Sequence, residues 1–301
     1  MTRGDSRVSI LAGIGLMALA TLCFAVLDTS AKYAMGTVPM LMALSMRYLL
    51  QAVVSTVVLL PMHGRAILVP RHPRIQLLRA AVFAITTLFA MWALKYMPVG
   101  EFAAIVMLVP MLVTVLAVVV LKEKVSGWQW LLICGALVGA MVIIRPGGNI
   151  GLHWWVVLPI GCVVFSSWFQ LISSRLGRIE NPTTTHLCTV WMCAALAVML
   201  LPWTWSAVDS PRVWLALILM GTASAIGHFL LAQAYQRAPA STLMPYMYCQ
   251  IGYAVLFGWW LFDHVPDAWA WAGILLIALC GMASAWLTAR RHQPAAVLPE
   301  T

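Results

Sequence analysis

Charge is what this chain has least of. Only 9% of its 301 residues are Asp, Glu, Lys or Arg, against about 25% in a soluble globular domain. Such a shortage excludes a water-soluble fold, because no polar surface is left to cover the apolar interior. Catalytic signatures are missing as well. The chain has no HExxH, no GxSxG, no CxxC and no paired acids within one apolar run. Metalloprotease, nucleophile-elbow and disulfide-framework readings therefore fall away. The seven cysteines, Cys23, Cys134, Cys162, Cys188, Cys193, Cys249 and Cys280, lie inside apolar runs with no Cys/His cluster and read as small packing residues. No metal and no cofactor is implied.

What the chain does have is apolar length. Hydrophobic residues make up 63% of it, with a mean hydropathy of +0.93, and long apolar runs recur from end to end. It reads as an all-α integral membrane protein whose first partner is the lipid bilayer. A net charge of +9 would suggest nucleic acid in a soluble protein. Here the basic residues sit in short connections between apolar runs, so no nucleic-acid partner is expected.

A bilayer core about 30 Å thick takes about 20 apolar residues per helix. Ten segments qualify, at about 8–32, 38–61, 75–95, 98–121, 127–144, 153–175, 183–202, 211–236, 239–262 and 267–289. The first, Val8 to Leu27 at its core, is longer than the apolar part of a secretory signal and reads as a retained membrane helix. Prolines fall at or beside the segment ends, where a missing N–H costs little. Thirteen Lys and Arg, Arg79 among them, fall on the side that holds both termini. Four, Lys32, Lys95, Arg145 and Arg212, fall on the other, and Arg47 lies within the second helix. By the positive-inside rule both termini are cytoplasmic.

A pattern over Ala93 to Ala140 returns 141 positions later, without a gap, pairing Ala93 with Ala234, Pro98 with Pro239, Trp128 with Trp269, Trp130 with Trp271 and Ile133 with Ile274. The reading is two five-helix repeats, 1–146 and 147–289, followed by a cytoplasmic tail, 290–301. Five is odd, so the second copy enters the membrane from the opposite side. Inverted repeats of this kind are the architecture from which alternating access arises.

The ten segments, the five-plus-five repeat, Pro98 and Pro239 opening the fourth and ninth helices, and Lys122-Glu123 followed by Trp128-x-Trp130 resemble the drug/metabolite transporter superfamily, in particular its EamA-type members. Size and aromatic content look most like its bacterial aromatic amino acid exporters. His264 stands where the first repeat has Glu123, so a role for that acid does not carry to both halves. The resemblance also implies that helix pairs three–four and eight–nine rock about a fixed site.

Ionisable and polar groups inside spans are the natural site candidates. Asp28 and Lys32, four apart on the first helix, can pair along one face; Arg47, or Asp28 with Lys32, reads as the contacts for a zwitterion's carboxylate and ammonium, or else Asp28 and Arg47 tie helices one and two together as a buried pair. His186 and His228 read as substrate or proton partners, or as satisfied structural donors. Thr242, Tyr246, Cys249, Gln250 and Tyr253 fall on one helical face, which marks Tyr246 and Gln250, with Met107 as the repeat counterpart of Tyr248, as cavity-lining. Trp92, Tyr96, Trp168 and Trp191 are expected to supply an apolar wall for a ring. Pro98, Gly100, Pro110, Pro239 and Pro245 read as hinges. Glycines on the fifth and tenth helices, Gly135, Gly139 and Gly273 among them, read as close packing.

The expected function is export of small amphipathic metabolites, aromatic or hydrophobic amino acids first, by alternating access in the bacterial cytoplasmic membrane, by a monomer or weak homodimer. A nucleotide-sugar or other anionic-metabolite exchanger is the alternative. An intramembrane enzyme is the remote one.

Overall fold

The computed structural model describes residues 3–121, 126–144, 154–176, 179–238, 243 and 246–291. Eleven helices run in order: α1 (Arg3–Met35), α2 (Met40–His63), α3 (Pro73–Tyr96), α4 (Val99–Val106), α5 (Val109–Leu121), α6 (Gly127–Ile144), α7 (Val157–Leu176), α8 (Pro182–Thr204), α9 (Pro211–Arg237), α10 (Cys249–Phe262) and α11 (Ala268–Arg291). Among the described residues there is no strand. Nine stretches among the described residues are long and apolar enough to cross a membrane, α4 and α5 counting as one, and the shorter apolar helix α10 stands beside them.

Local chemistry sets the ends. Proline opens α3, α8 and α9, where its missing N–H would have had no partner and its fixed φ suits the first turn. Asn181 caps α8 through its side-chain oxygen, which accepts from the Thr183 N–H at 2.8 Å. At the far end of α2 the chain turns on Gly64 at φ 73°, whose N–H donates to the Leu60 carbonyl. A residue with a side chain would be strained there.

One predicted helix is two. Residues 98–121 break at Met107 and Leu108, between α4 and α5. Pro110 has no N–H to give and its ring crowds the carbonyl of Val106, four residues back, so the ladder cannot run through. Tyr248, 141 positions on, occupies a turn just before α10.

Helices pack in corresponding pairs. α1 lies along α9 as α3 lies along α7; α2 touches α9 as α3 touches α8; α1 meets α10 as α7 meets α5. The contacts α2–α8 and α6–α11 each join a helix to its counterpart five spans later, and α4 meets α10. At the α6–α11 crossing, a Cβ on Gly273 would stand 2.5 Å from the Gly139 carbonyl oxygen, and one on Gly139 would stand 2.9 Å from the Gly273 carbonyl. Here two backbones touch, as small residues allow in lipid.

The outer surface is apolar. On α7, Val157, Ile160, Val164 and Trp168 are exposed at helical spacing, a stripe that belongs against lipid. Polar side chains go inward instead: Arg47, Tyr48, Gln51 and Ser224 are all buried.

Candidate functional site

The site is built on α2. Leu44, Arg47, Tyr48, Gln51 and Ser55 recur at one-turn spacing and form its buried face. Three groups on that face find no protein partner: Arg47 Nε, the Tyr48 hydroxyl and both amide atoms of Gln51. Facing helix α9 adds a fourth, the Ser224 hydroxyl. The two helices meet at Gly221, where a Cβ would stand 3.2 Å from the Arg47 carbonyl oxygen, and Ser224 lies one turn further on. Each unpaired buried group costs about 1–3 kcal/mol. Five such atoms on two touching helices are hydrogen-bonding capacity that no described protein group fills, of the kind that ordered water or a ligand satisfies.

Asp28 on α1 stands beside this face. Its Oδ2 accepts from Gln250 Nε2 of α10 at 3.2 Å. Arg47 acts on it electrostatically but makes no ion pair with it. Lys32 does not pair with it either, because its ammonium donates to the Leu94 and Met97 carbonyls at 2.8 and 2.9 Å. Both pairings read from sequence are thus replaced: the orphan carbonyls at the end of α3 outbid the carboxylate one turn away.

One turn further along α2 a cavity of about 120 Å³ opens between α2, α8 and α9, lined by Ser55, Leu59, His186, Ala225, His228 and Phe229 among others. The two imidazoles lie 5.7 Å apart. His186 Nε2 shares a hydrogen bond with the Ser55 hydroxyl at 3.1 Å, and His228 Nδ1, as donor, reaches the Ser224 carbonyl at 2.7 Å. Phe24 and Phe83 present ring edges to His228 at 5.0 and 6.4 Å. Phe169 continues the aromatic cluster at 4.9 Å from Phe83. Both histidines named from sequence share one pocket.

The aromatics expected to form an apolar wall are not buried in this structure. Trp92, Tyr96, Trp168 and Trp191 are 42–45% exposed, on outward stripes; Tyr96 packs against Trp154 and Trp191 donates to Thr56. Tyr48, Phe24, Phe83 and Phe169 take the inner role. Phenylalanine in an apolar run carries no sequence signal of its own. The polar stripe around Tyr246 also divides. Gln250 is buried, whereas Tyr246 and Cys249 are exposed, because the turn at Tyr248 resets the helical phase. Thr242, Pro239 and Pro245 lie outside the described residues.

Met107 is buried at the α4–α5 break, and its freed carbonyl accepts from the Tyr248 hydroxyl at 3.4 Å. Pro98 precedes α4 as its cap. Gly100 serves contact: a Cβ there would stand 2.7 Å from Val255 Cγ2. Arg79, assigned from sequence to a basic connection, is buried within α3; its guanidinium donates to Ser173, Thr185 and Thr189 and stacks 4.3 Å from Phe169.

At the end of the bundle where α1 and α3 finish, a side-chain contact joins the two halves of the sequence. His264 Nε2 lies 2.9 Å from Glu101 Oε1, joining the start of α4 to the turn after α10. Removing either partner, as His264→Ala or Glu101→Gln, is expected to lower unfolding stability in detergent by about 1 kcal/mol. In the double-mutant cycle the pair of changes should cost no more than one alone.

Among the described residues, an all-helical bundle whose stretches are long and apolar enough to cross a lipid bilayer is a multi-pass membrane protein. The EamA-like transporter family matches the chain twice, over residues 11–145 and 153–284; the chain belongs to that family. It is 28% identical to a riboflavin transporter of Vibrio cholerae over 87% of this chain and 89% of that protein. It is 22% identical to the pseudopaline exporter CntI of Pseudomonas aeruginosa over 89% and 94%, and 21% identical to an S-adenosylmethionine uptake transporter of Rickettsia conorii over 91% and 92%. A crystal structure 19% identical in sequence superposes with a TM-score of 0.62, covering 97% of this chain and 100% of that one. Aromatic amino acids are not among these relatives' named substrates.

Proposed function

We propose that this protein carries a small, neutral, flat metabolite with a hydrogen-bonding edge across the bacterial inner membrane, by alternating access between two inverted five-helix halves with both termini in the cytoplasm. Riboflavin is the leading candidate. The two family matches and the exchange symmetry of the helix contacts support the duplicated architecture. A break at corresponding places of the two halves, with Tyr248 meeting Met107, supports a site near their seam.

One observation carries the substrate class: the unpaired set of Arg47 Nε, Tyr48 hydroxyl, Gln51 amide and Ser224 hydroxyl, next to an aromatic-lined cavity. A primary amide offers a donor and an acceptor side by side. The imide edge of an isoalloxazine offers the complement, an N–H flanked by carbonyls, while its ring body suits His186, His228 and Phe229, the aromatic rings that line the cavity. The riboflavin transporters of Vibrio cholerae and Brucella anthropi, the latter 26% identical over 75% of this chain, support the same reading.

An aromatic amino acid is the second reading, favoured by Arg47 and Asp28 forming no ion pair with each other and so able to meet a carboxylate and an ammonium. Anionic metabolites fit less well, because Arg79 is already engaged and Arg47 is left alone. Counterflow in proteoliposomes decides. Vesicles loaded with unlabelled riboflavin should take up labelled riboflavin well above protein-free vesicles, and tryptophan or a nucleotide sugar should not replace it. Exchange of tryptophan without riboflavin would establish the second reading instead.

A further inference from the structure

We propose that Asp28 carries a proton through each transport cycle and so couples substrate movement to the proton gradient, an inference that rests on the transporter reading above. Asp28 lies inside the first membrane span, Ser9–Met35, and its contact is a neutral amide, Gln250 Nε2 at 3.2 Å. No cationic nitrogen of the described residues lies within 4 Å of it. An ionised carboxylate left without a cation inside a membrane span is unfavourable, because a neutral amide replaces little of its hydration. Binding a proton removes that cost.

The surroundings offer two alternative partners. From α2, Arg47 is the charge that acts on Asp28; from α7, Cys162 faces it; from α10, Gln250 donates to it. On its own helix Lys32 is held by carbonyls of α3 and by the field of Glu101 on α4. On α9, His228 lies against Phe24, one turn along α1. On α3, Lys95 and Tyr96 face outward. An ionised Asp28 is drawn to Arg47. A protonated one keeps Gln250, its O–H donating to the amide oxygen once the amide turns over. The proton thus selects between an α1–α2 contact and an α1–α10 contact, and α10 follows the broken stretch of the second half. One proton is taken from water on one side and released on the other, with no other reactant.

The test uses the full-length protein in proteoliposomes with riboflavin as probe, the membrane potential clamped and a pH gradient imposed in each polarity. Wild type is expected to accumulate riboflavin beyond equilibration under one polarity, and that polarity distinguishes symport from antiport. Asp28→Asn is expected to lose accumulation under both, whatever its exchange rate, and Asp28→Glu to retain it. Infrared spectra of the purified protein across pH give a readout that needs no substrate: a protonated-carboxyl stretch that titrates in wild type and is missing in Asp28→Asn. Wild type that exchanges riboflavin but ignores the gradient would overturn the proposal, as would Asp28→Asn that still accumulates. Absence of riboflavin counterflow in wild type would count against the substrate reading alone, and the infrared band then decides this one.

Discussion

Replacing Arg47 with leucine is expected to reduce substrate exchange roughly ten- to a hundredfold while leaving the protein at least as stable as wild type. Arg47 is 8% exposed, and its Nε has no protein partner. A charged hydrogen bond to substrate contributes about 1.5–3 kcal/mol, which is the basis of that range. The same charge is a burden on the empty protein, since it is desolvated in the interior without an ion pair. Leucine removes the burden together with the binding contact. Activity and stability should therefore move in opposite directions, a combination that a merely structural arginine would not produce. Counterflow rates and thermal unfolding in detergent, measured on one preparation, check both halves. Unchanged exchange, or a marked fall in unfolding temperature, would remove Arg47 from the site.

Gly273→Leu should be the most damaging single change to the fold. A Cβ at this position meets the Gly139 carbonyl oxygen at 2.5 Å and Ile143 Cγ1 at 2.6 Å. A backbone oxygen cannot swing aside as a side-chain tip does, so α6 and α11 would have to separate. Overpacking of this kind costs about 1–3 kcal/mol or more even where neighbours can shift. The expected result is loss of the monodisperse peak in size-exclusion chromatography, or a large drop in unfolding temperature. Gly252→Leu is the control, because nothing stands within 4 Å of a Cβ there. Equal behaviour of the two variants would mean that the crossing is looser than the geometry indicates.

The Glu101–His264 pair illustrates what sequence order hides. Glu101 and His264 are 163 positions apart, on elements that the repeat reading assigns to different halves. Neither carries a local signature of the other. Lys32 shows the converse: spacing brought it to Asp28, but the end of α3 was nearer. Short-range rules name the partners a side chain can reach along its own helix, whereas a bundle supplies partners from every neighbour.

Sequence alone determined the class of the protein. Scarcity of charge, the lengths of the apolar runs and the prolines at their ends constrain a chain in lipid so tightly that most of the described helices fall where the pattern places them, the break at Met107 excepted, since backbone groups there have no water to turn to. Arg47, Gln250, His186 and His228 were legible for the same reason, being polar where polarity is costly. Tertiary structure alone decided which face of each helix turns inward. That choice put Gln51, Ser224, Tyr48 and Phe83 in the interior and sent Trp92, Trp168, Trp191 and Tyr246 outward. In a membrane span both faces are apolar, so the amphipathic contrast that orients a soluble helix is weak. The rotation of each helix is settled by close packing, by contacts such as Gly221 on Arg47 and Gly139 on Gly273, between residues far apart along the chain.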